Sequence, residues 1–173
     1  YTGAKACEVL RRVPDGTYAF WDYLDDDFVS RIPVRVRVEV TINDGRLHFD
    51  LTGTDPQVAA AYNVVTQGRC HEWLTMRLTS FLLTHDPTMA ANAGLYRPIT
   101  CTNPPGTILN AQFPDAVGIR HTTARRLNDA MTGALLKAAP DMMAAPTCGA
   151  SAPFVLAEYG PDGEGRNVTV LEP

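Results

Sequence analysis

The chain has 173 residues, of which 45% are apolar and 20% are charged, and its formal net charge is −4. This length and composition are typical of one globular domain, so we expect residues 1–173 to form a single domain with a substantial core. The acidic balance offers no electrostatic basis for binding nucleic acid or an anionic membrane. No apolar run reaches the length of a membrane span, and residues 1–12 lack the apolar stretch of a secretory signal. We therefore expect a cytoplasmic protein with neither nucleic-acid nor membrane partners.

The four cysteines are too widely and irregularly spaced to indicate a particular set of disulfides or a metal-binding motif. They are Cys7, Cys70, Cys101 and Cys148, and no Cys-x-x-Cys pair occurs. Disulfides or a zinc cluster formed in space stay open, but we favour a reduced set in a cytoplasmic protein.

The first half of the chain predicts strands. Residues 17–24 alternate and are aromatic, and residues 33–42 alternate valine or isoleucine with polar residues. Asp44-Gly45 is a typical two-residue hairpin turn. That turn pairs Ile42 with Leu47, Val40 with Phe49 and Val38 with Leu51, so that every pair falls on one apolar face. A slip of one residue would reverse the faces, which supports the register.

Two longer segments predict helices. Residues 69–84 and 121–139 each carry an apolar stripe at helical spacing, and Thr122 or Thr123 is a candidate N-cap of the second. Further strands are predicted at 96–102, within 103–110, at 152–160 and at 167–173. The order of elements predicts an α+β fold with a mixed, mostly antiparallel sheet and two main helices packed on it.

Standard chemical motifs are absent from the sequence. It has no phosphate-binding glycine loop, no nucleophile elbow and no paired-histidine metal helix. Asp25, Asp26 and Asp27 lack partners at ligand spacing, so we interpret them as a solvated turn rather than a metal site. From these patterns alone the function stays open.

Longer segments of the sequence are more informative about function than these short motifs. The segments "PDGTYAFWDYLDDD", "VRVRVEVTINDGRLHFDLTGTDPQV", "AAYN", "NAGLYRPI", "PPGTILN" and "FPDAV" occur in this order. Together they resemble the hydantoinase B/5-oxoprolinase family, which includes N-methylhydantoinase B subunits and the large subunits of acetone and acetophenone carboxylases. The resemblance is strongest over residues 14–117. It implies a middle segment of a longer subunit, because family members are far longer.

The resemblance also implies a chemistry. Family members act on cyclic amides, imides or ketones, and ATP is bound by a hydantoinase A-type partner subunit or region, which activates the substrate. A divalent metal in the B-type part is implied as well, with ligands in motifs that this chain does not contain, so we assign no metal ligand here. We expect the isolated chain to be inactive. Two alternatives stay open: a carboxylase-type subunit, and a scaffolding domain without catalytic residues.

Four polar residues are candidates for the site. Within the signature-like stretch "DLTGTDPQVAAAYN", Thr52, Thr54 and Asn63 are candidate substrate-binding residues. His121, near the start of the second helix, is the candidate catalytic residue, because a neutral imidazole there could donate or accept a proton. The structural alternative is that these side chains only satisfy backbone groups in loops. Asn92 and Asn110 are expected to brace turns.

Overall fold

The computed structural model describes residues 1–147 and 154–171. Its helices are α1 (Thr2–Leu10), α2 (Glu72–His85) and α3 (Arg120–Ala138). Its strands are β1 (Gly16–Leu24), β2 (Val34–Asn43), β3 (Arg46–Asp50), β4 (Ile99–Thr102), β5 (Phe154–Tyr159) and β6 (Gly165–Leu171). None of the helices in these described ranges is both long enough and apolar enough to cross a membrane.

The main sheet has the order β1-β2-β3-β4. Strands β1, β2 and β3 pair in antiparallel fashion, whereas β4 lies parallel to β3. A parallel pair needs a crossover connection, and here α2 lies in the segment that joins β3 to β4. The predicted α+β class with a mixed, mostly antiparallel sheet is confirmed.

The hairpin of β2 and β3 has the predicted register. Ile42 pairs with Leu47 and Val40 pairs with Phe49 across the Asp44-Gly45 turn. Both turn residues have positive φ, 43° at Asp44 and 73° at Gly45, as a two-residue turn of this kind requires. A side chain at Gly45 would also collide with the Cys7 carbonyl of α1, since an added Cβ would lie 2.5 Å from that oxygen.

The core lies on one face of the sheet, beneath the helices. Every second residue of β2 from Val34 to Ile42 is buried, and so are Leu47, Phe49 and Leu51. Helix α3 packs across β1 and β2, and α2 packs beside α3. Gly133 permits the close approach of α3 to β1, because an added Cβ would lie 2.6 Å from ring atoms of Phe20.

Two local predictions are wrong. Helix α3 begins at Arg120 after Ile119 and has no side-chain cap, so Thr122 and Thr123 lie inside it. The buried Thr123 hydroxyl instead donates a hydrogen bond to the Tyr62 carbonyl, at 2.7 Å. Residues 103–110 form no strand and contribute only an isolated bridge between Pro56 and Thr107. Their backbone groups bond to another loop, which a pattern of apolar alternation does not reveal.

The last two strands form a separate two-stranded sheet. Four of its apolar side chains, Val155, Leu156, Tyr159 and Val168, are exposed. Strands predicted at 152–160 and 167–173 are confirmed within the described residues. Cys148, residues 152–153 and residues 172–173 lie outside them.

Candidate functional site

Two irregular segments, residues 52–68 and 103–119, pair with each other beside the sheet. Backbone bonds join the amide of Ile108 to the carbonyl of Asp55, the amide of Val64 to the carbonyl of Ile108, and the amide of Ala111 to the carbonyl of Val64, at 2.8–3.1 Å. We call these two segments the loop pair. The hydrogen bonds between the two segments satisfy backbone N–H and C=O groups that do not belong to a regular β-sheet.

Amide side chains bind the loop pair together. Gln57 Oε1 accepts from the amide of Gln112 at 2.8 Å, and Gln57 Nε2 donates to the Asp115 carboxylate. Asn110 Oδ1 accepts from the amide of Gly68 at 3.2 Å, while its Nδ2 donates to the Asn103 carbonyl at 2.8 Å. The prediction that Asn110 braces a turn is therefore confirmed. The same holds for Asn92, which caps the short helix at Ala93–Tyr96 by accepting from Gly94.

Two cavities open along the loop pair. The larger, of about 600 Å³, is lined by residues that include Gly68, Asn103 and Gln112. The smaller, of about 250 Å³, has Asn63 in its wall. Val65 and Val117 border both cavities, so the two are neighbours that share a wall.

The smaller cavity lies where two helices begin. His71, Glu72 and Trp73 line it from the start of α2, and Arg120 lines it from the start of α3. His71 is the N-cap of α2, because its Nδ1 accepts from the amide of Trp73 at 3.2 Å. The Arg120 guanidinium lies 5.3 Å from the centre of the Trp73 ring, a distance typical of a cation–π contact.

This arrangement suits an anionic or strongly polar ligand. Helix N-termini carry partial positive charge and free N–H groups, and the cation of Arg120 adds to that field. The negative charge of Glu72 partly cancels this positive field. The cavity can therefore bind and orient a ligand, and the residues seen to line it offer Arg120 and His71 as polar contacts.

Asn63 is fully buried, and its side chain is occupied by backbone groups. Its Oδ1 accepts from the amide of Val58 at 2.9 Å. Its Nδ2 donates to the carbonyls of Val58, Ala60 and Ala116, at 2.7, 3.2 and 2.9 Å. The bond to Ala116 crosses between the two segments of the loop pair. Asn63 thus shapes the wall of the smaller cavity rather than presenting a free amide to it.

Thr52 and Thr54 lie at the end of β3, apart from the residues found to line the smaller cavity. The Thr54 hydroxyl is buried and donates to the Arg37 carbonyl at 3.1 Å, while it accepts from the Arg37 amide at the same distance. Thr52 is exposed, and its carbonyl accepts from the Arg37 guanidinium at 2.8 Å. Both threonines join the loop to β2.

His121 is the second residue of α3 and is half-buried. Its neighbour Arg120 lines the smaller cavity, but His121 is not among the lining residues that the structure describes. Among residues 1–147 and 154–171, the His121 imidazole has no hydrogen-bond partner. Asn63 and Arg120, the residue before His121, line the same cavity, whereas Thr52 and Thr54 are not among the lining residues described.

Sequence reasoning missed His71, Trp73 and Arg120 as residues that meet in space. The signal in the sequence was weak, since His71 precedes an apolar helix without being one of the preferred N-cap types. Asn103 was missed as well. It is buried, and its Nδ2 donates to Thr66 and to the Leu109 carbonyl, at 2.9 and 3.0 Å, while its Oδ1 has no partner among the described residues.

Metal binding has little support in the described ranges, 1–147 and 154–171. They contain no group of three or more His, Cys, Asp or Glu side chains placed to hold a metal ion. The divalent metal implied by the resemblance does not fit these residues, and we assign them no metal chemistry.

Two known proteins are similar to this chain in sequence and indicate its family. The chain is 33% identical over 147 residues to the B-type subunit of a candidate D-/L-hydantoinase from Pseudomonas sp. strain NS671, covering 80% of this chain and 24% of that protein. It is 29% identical over 119 residues to an uncharacterized protein of Methanocaldococcus jannaschii, covering 67% of this chain and 20% of that protein. The chain thus spans about a quarter or less of the length of these relatives.

Two solved structures share the fold. The ATP-dependent caprolactamase of Pseudomonas jessenii matches 98% of this chain with a TM-score of 0.68 and 23% identity, over 28% of its own length. Nucleotide-free acetone carboxylase matches 97% of this chain with a TM-score of 0.67 and 15% identity, over 24% of its own length. The family model for hydantoinase B/oxoprolinase matches residues 1–173. The chain therefore belongs to the hydantoinase B/oxoprolinase family.

Proposed function

We propose that the chain is a segment of the B-type subunit of an ATP-dependent enzyme that hydrolyses cyclic amides or imides. In this proposal ATP is bound by a hydantoinase A-type partner subunit, which activates the substrate, and the activated intermediate then reacts in the B-type subunit, in the cytoplasm. The observation that carries the proposal is the family match over residues 1–173. The Pseudomonas relative named as part of a D-/L-hydantoinase supports a cyclic amide substrate.

The smaller cavity supports a role in binding an activated intermediate. Activation with ATP places negative charge on a substrate oxygen, and the cavity joins two helix N-termini with the Arg120 guanidinium. In the proposal Arg120 and His71 orient this charge, while His121, the next residue of α3 beyond the described cavity lining, moves a proton to or from the part of the intermediate that extends out of the cavity. Asn63 and Thr54 act as positioning residues, and Thr52 remains a proposed substrate contact at the exposed end of β3.

A second candidate is a carboxylase-type subunit that uses a ketone as its substrate. The fold shared with acetone carboxylase favours it as an alternative, although that likeness concerns the fold alone. A scaffolding segment without catalytic residues is the third candidate, and the many side-chain bonds to backbone in the loop pair favour it.

The test is a steady-state assay of the full-length subunit together with its A-type partner. We expect ATP-dependent hydrolysis of hydantoins or lactams, and no turnover by the 173-residue chain alone. His121→Ala should lower turnover tenfold or more, which is about 1.4 kcal/mol of transition-state stabilisation. His48→Ala is the matched control, because His48 lies on the opposite face of the sheet and bonds to Thr100 and Thr102.

The outcomes separate the three candidates. Bicarbonate-dependent consumption of ketones without hydrolysis would favour the carboxylase. Unchanged turnover in His121→Ala, together with a lowered melting temperature, would assign His121 a structural role and support the scaffold.

A further inference from the structure

Apolar side chains in the walls of the two cavities also face solvent. Phe113, which borders the larger cavity, is 98% exposed and is the most exposed of the large apolar residues in the described ranges. Val65 and Val117, which border both cavities, are each about half-exposed. Trp73 borders the smaller cavity and is half-buried. We call these four residues the rim surface.

The exposed apolar area continues from the rim surface onto the loop before β2. Phe28 is exposed in that loop, and its ring centre lies 5.6 Å from the ring centre of Tyr62. Tyr62 in turn forms an isolated antiparallel bridge with Val117. Exposed apolar side chains that cluster in one area mark interaction sites, whereas single exposed residues are normal in soluble proteins.

Hydrogen bonds hold the backbone beneath the rim surface. The amides of Gly118 and Ile119 both donate to the Ala61 carbonyl, at 3.0 and 2.9 Å. The amide of the residue before Phe113 donates to a glutamine side chain of the other segment of the loop pair, at 2.8 Å. Phe113 and Val117 therefore lie on a backbone that is fixed at both ends of this segment. Such a pre-formed surface loses little conformational entropy when another segment covers it.

The lengths of the relatives favour one occupant. The matched part is 28% of the caprolactamase chain, 24% of the acetone carboxylase chain and 24% of the Pseudomonas hydantoinase subunit. Most of each relative's chain therefore lies outside the part that corresponds to residues 1–173. A segment of the same polypeptide competes for an apolar surface at a high effective concentration, whereas a second copy or a separate protein must bind from solution.

We propose that the rim surface is the docking site for an apolar segment of the same full-length B-type subunit, outside residues 1–173, which covers Phe113 and closes both cavities to bulk water. Covering a phenylalanine ring removes roughly 150–250 Å² from water, which favours the docked state. Closure also strengthens the electrostatic contacts of a ligand in the smaller cavity, because water no longer screens them. The inference rests on the proposed place of this chain in a longer B-type subunit, but not on the reaction of that subunit.

The experiment measures how fast a maleimide labels the thiol introduced by Phe113→Cys in the full-length B-type subunit, purified without its A-type partner. Tandem mass spectrometry of tryptic peptides locates the label, and the same subunit in urea gives the rate of a fully exposed thiol. We expect labelling to be at least about tenfold slower in the native subunit than in urea. Val117→Cys should be protected in the same way.

A measurement on the unsubstituted subunit excludes an effect of the substitution itself. Hydroxyl radicals oxidise exposed aromatic rings, and mass spectrometry reports the oxidised fraction at Phe113. We expect this ring to be oxidised at least about tenfold more slowly in the native subunit than in urea.

The outcomes distinguish the possible occupants. Labelling and oxidation at position 113 close to the rates in urea would overturn the proposal, because the surface then stays uncovered. Protection that appears only after the A-type partner is added would overturn it in favour of that partner, and protection that is lost on dilution would do so in favour of a second copy. A subunit that shows the expected protection but no turnover supports the docking inference and contradicts the proposed activity alone.

Discussion

The apolar face of the β2–β3 hairpin and the loop pair lie side by side but are held by different forces. On the hairpin face Val36, Val38, Val40 and Phe49 are fully buried, and their contribution comes from apolar area removed from water. In the loop pair, fully buried Asn63 makes four hydrogen bonds to backbone groups, one of which crosses between the two segments.

The difference predicts which changes each region tolerates. A packed apolar face responds to lost volume and accepts other apolar side chains of similar size. A loop held by an amide responds to lost donors and acceptors, because each buried group left without a partner costs about 1–3 kcal/mol. The region that borders the cavities is thus the one that depends on specific polar chemistry.

The largest expected effect is on the hairpin face. Phe49→Ala removes a fully buried ring and should lower the free energy of unfolding by roughly 3–5 kcal/mol, measured by urea denaturation. Thr41→Ala on the opposite face of β2, where Thr41 is half-exposed, is the control and should change stability far less. A loss near zero in Phe49→Ala would contradict the placement of this residue in the core.

The matching test in the loop pair is Asn63→Ala. It leaves one buried amide and three carbonyls without their side-chain partner, so we expect a loss of roughly 2–4 kcal/mol in the free energy of unfolding. From its sequence position alone Asn63 is expected to affect stability little, and its burial reverses that expectation. Asn92→Ala is the matched control, because Asn92 is exposed and should cost about 1 kcal/mol or less. Equal losses in the two variants would remove the distinction between the regions.

Helix packing on the sheet gives an intermediate effect. Gly133→Ala places a Cβ 2.6 Å from the Phe20 ring, which costs about 1–3 kcal/mol, while the better helix propensity of alanine returns up to about 1 kcal/mol. We expect a net loss of roughly 1–2 kcal/mol in chemical denaturation. The double variant Gly133→Ala/Phe20→Leu should recover much of it. If the loss persists in the double variant, the collision with Phe20 is not its cause.

The smallest effect is a dependence on pH in the loop before β2. The Asp27 carboxylate accepts from the amides of Ser30 and Val29, at 2.6 and 3.1 Å, and the bond from Ser30 is the main reason that the pKa of Asp27 lies below its usual value. A lowered pKa in the folded state gives stability that is present above the ordinary pKa of aspartate and is lost as pH falls through the folded value. Wild type should therefore melt at a higher temperature than Asp27→Asn at pH 7, and the two curves should converge in acid. A difference that is constant across this range would rule out ionised Asp27 as the source.

Local patterns in the sequence determined the hairpin and the helices. The alternation of residues 34–42 with residues 47–51, joined through Asp44-Gly45, determines which side chains share a face, because a slip of one residue would bury Arg37 or Asp50. The apolar stripes of α2 and α3 likewise locate both helices to within a few residues. The ordered peptides also determined the family. These features depend on spacings of a few residues or on matching segments, so they can be read without knowing the fold.

Only the tertiary structure decided how the site region is assembled. Asn63 bonds to Ala116 and Gln57 bonds to Gln112, across chain separations of 53 and 55 residues. No periodic pattern encodes such contacts, because irregular loops place their polar side chains by the path of the whole chain. The same reason separates Thr52 and Thr54 from the cavity and brings His71 and Arg120 to it. The sequence supplied the polar residues, and the packing of α3 on the sheet and of α2 beside α3 decided which of them meet.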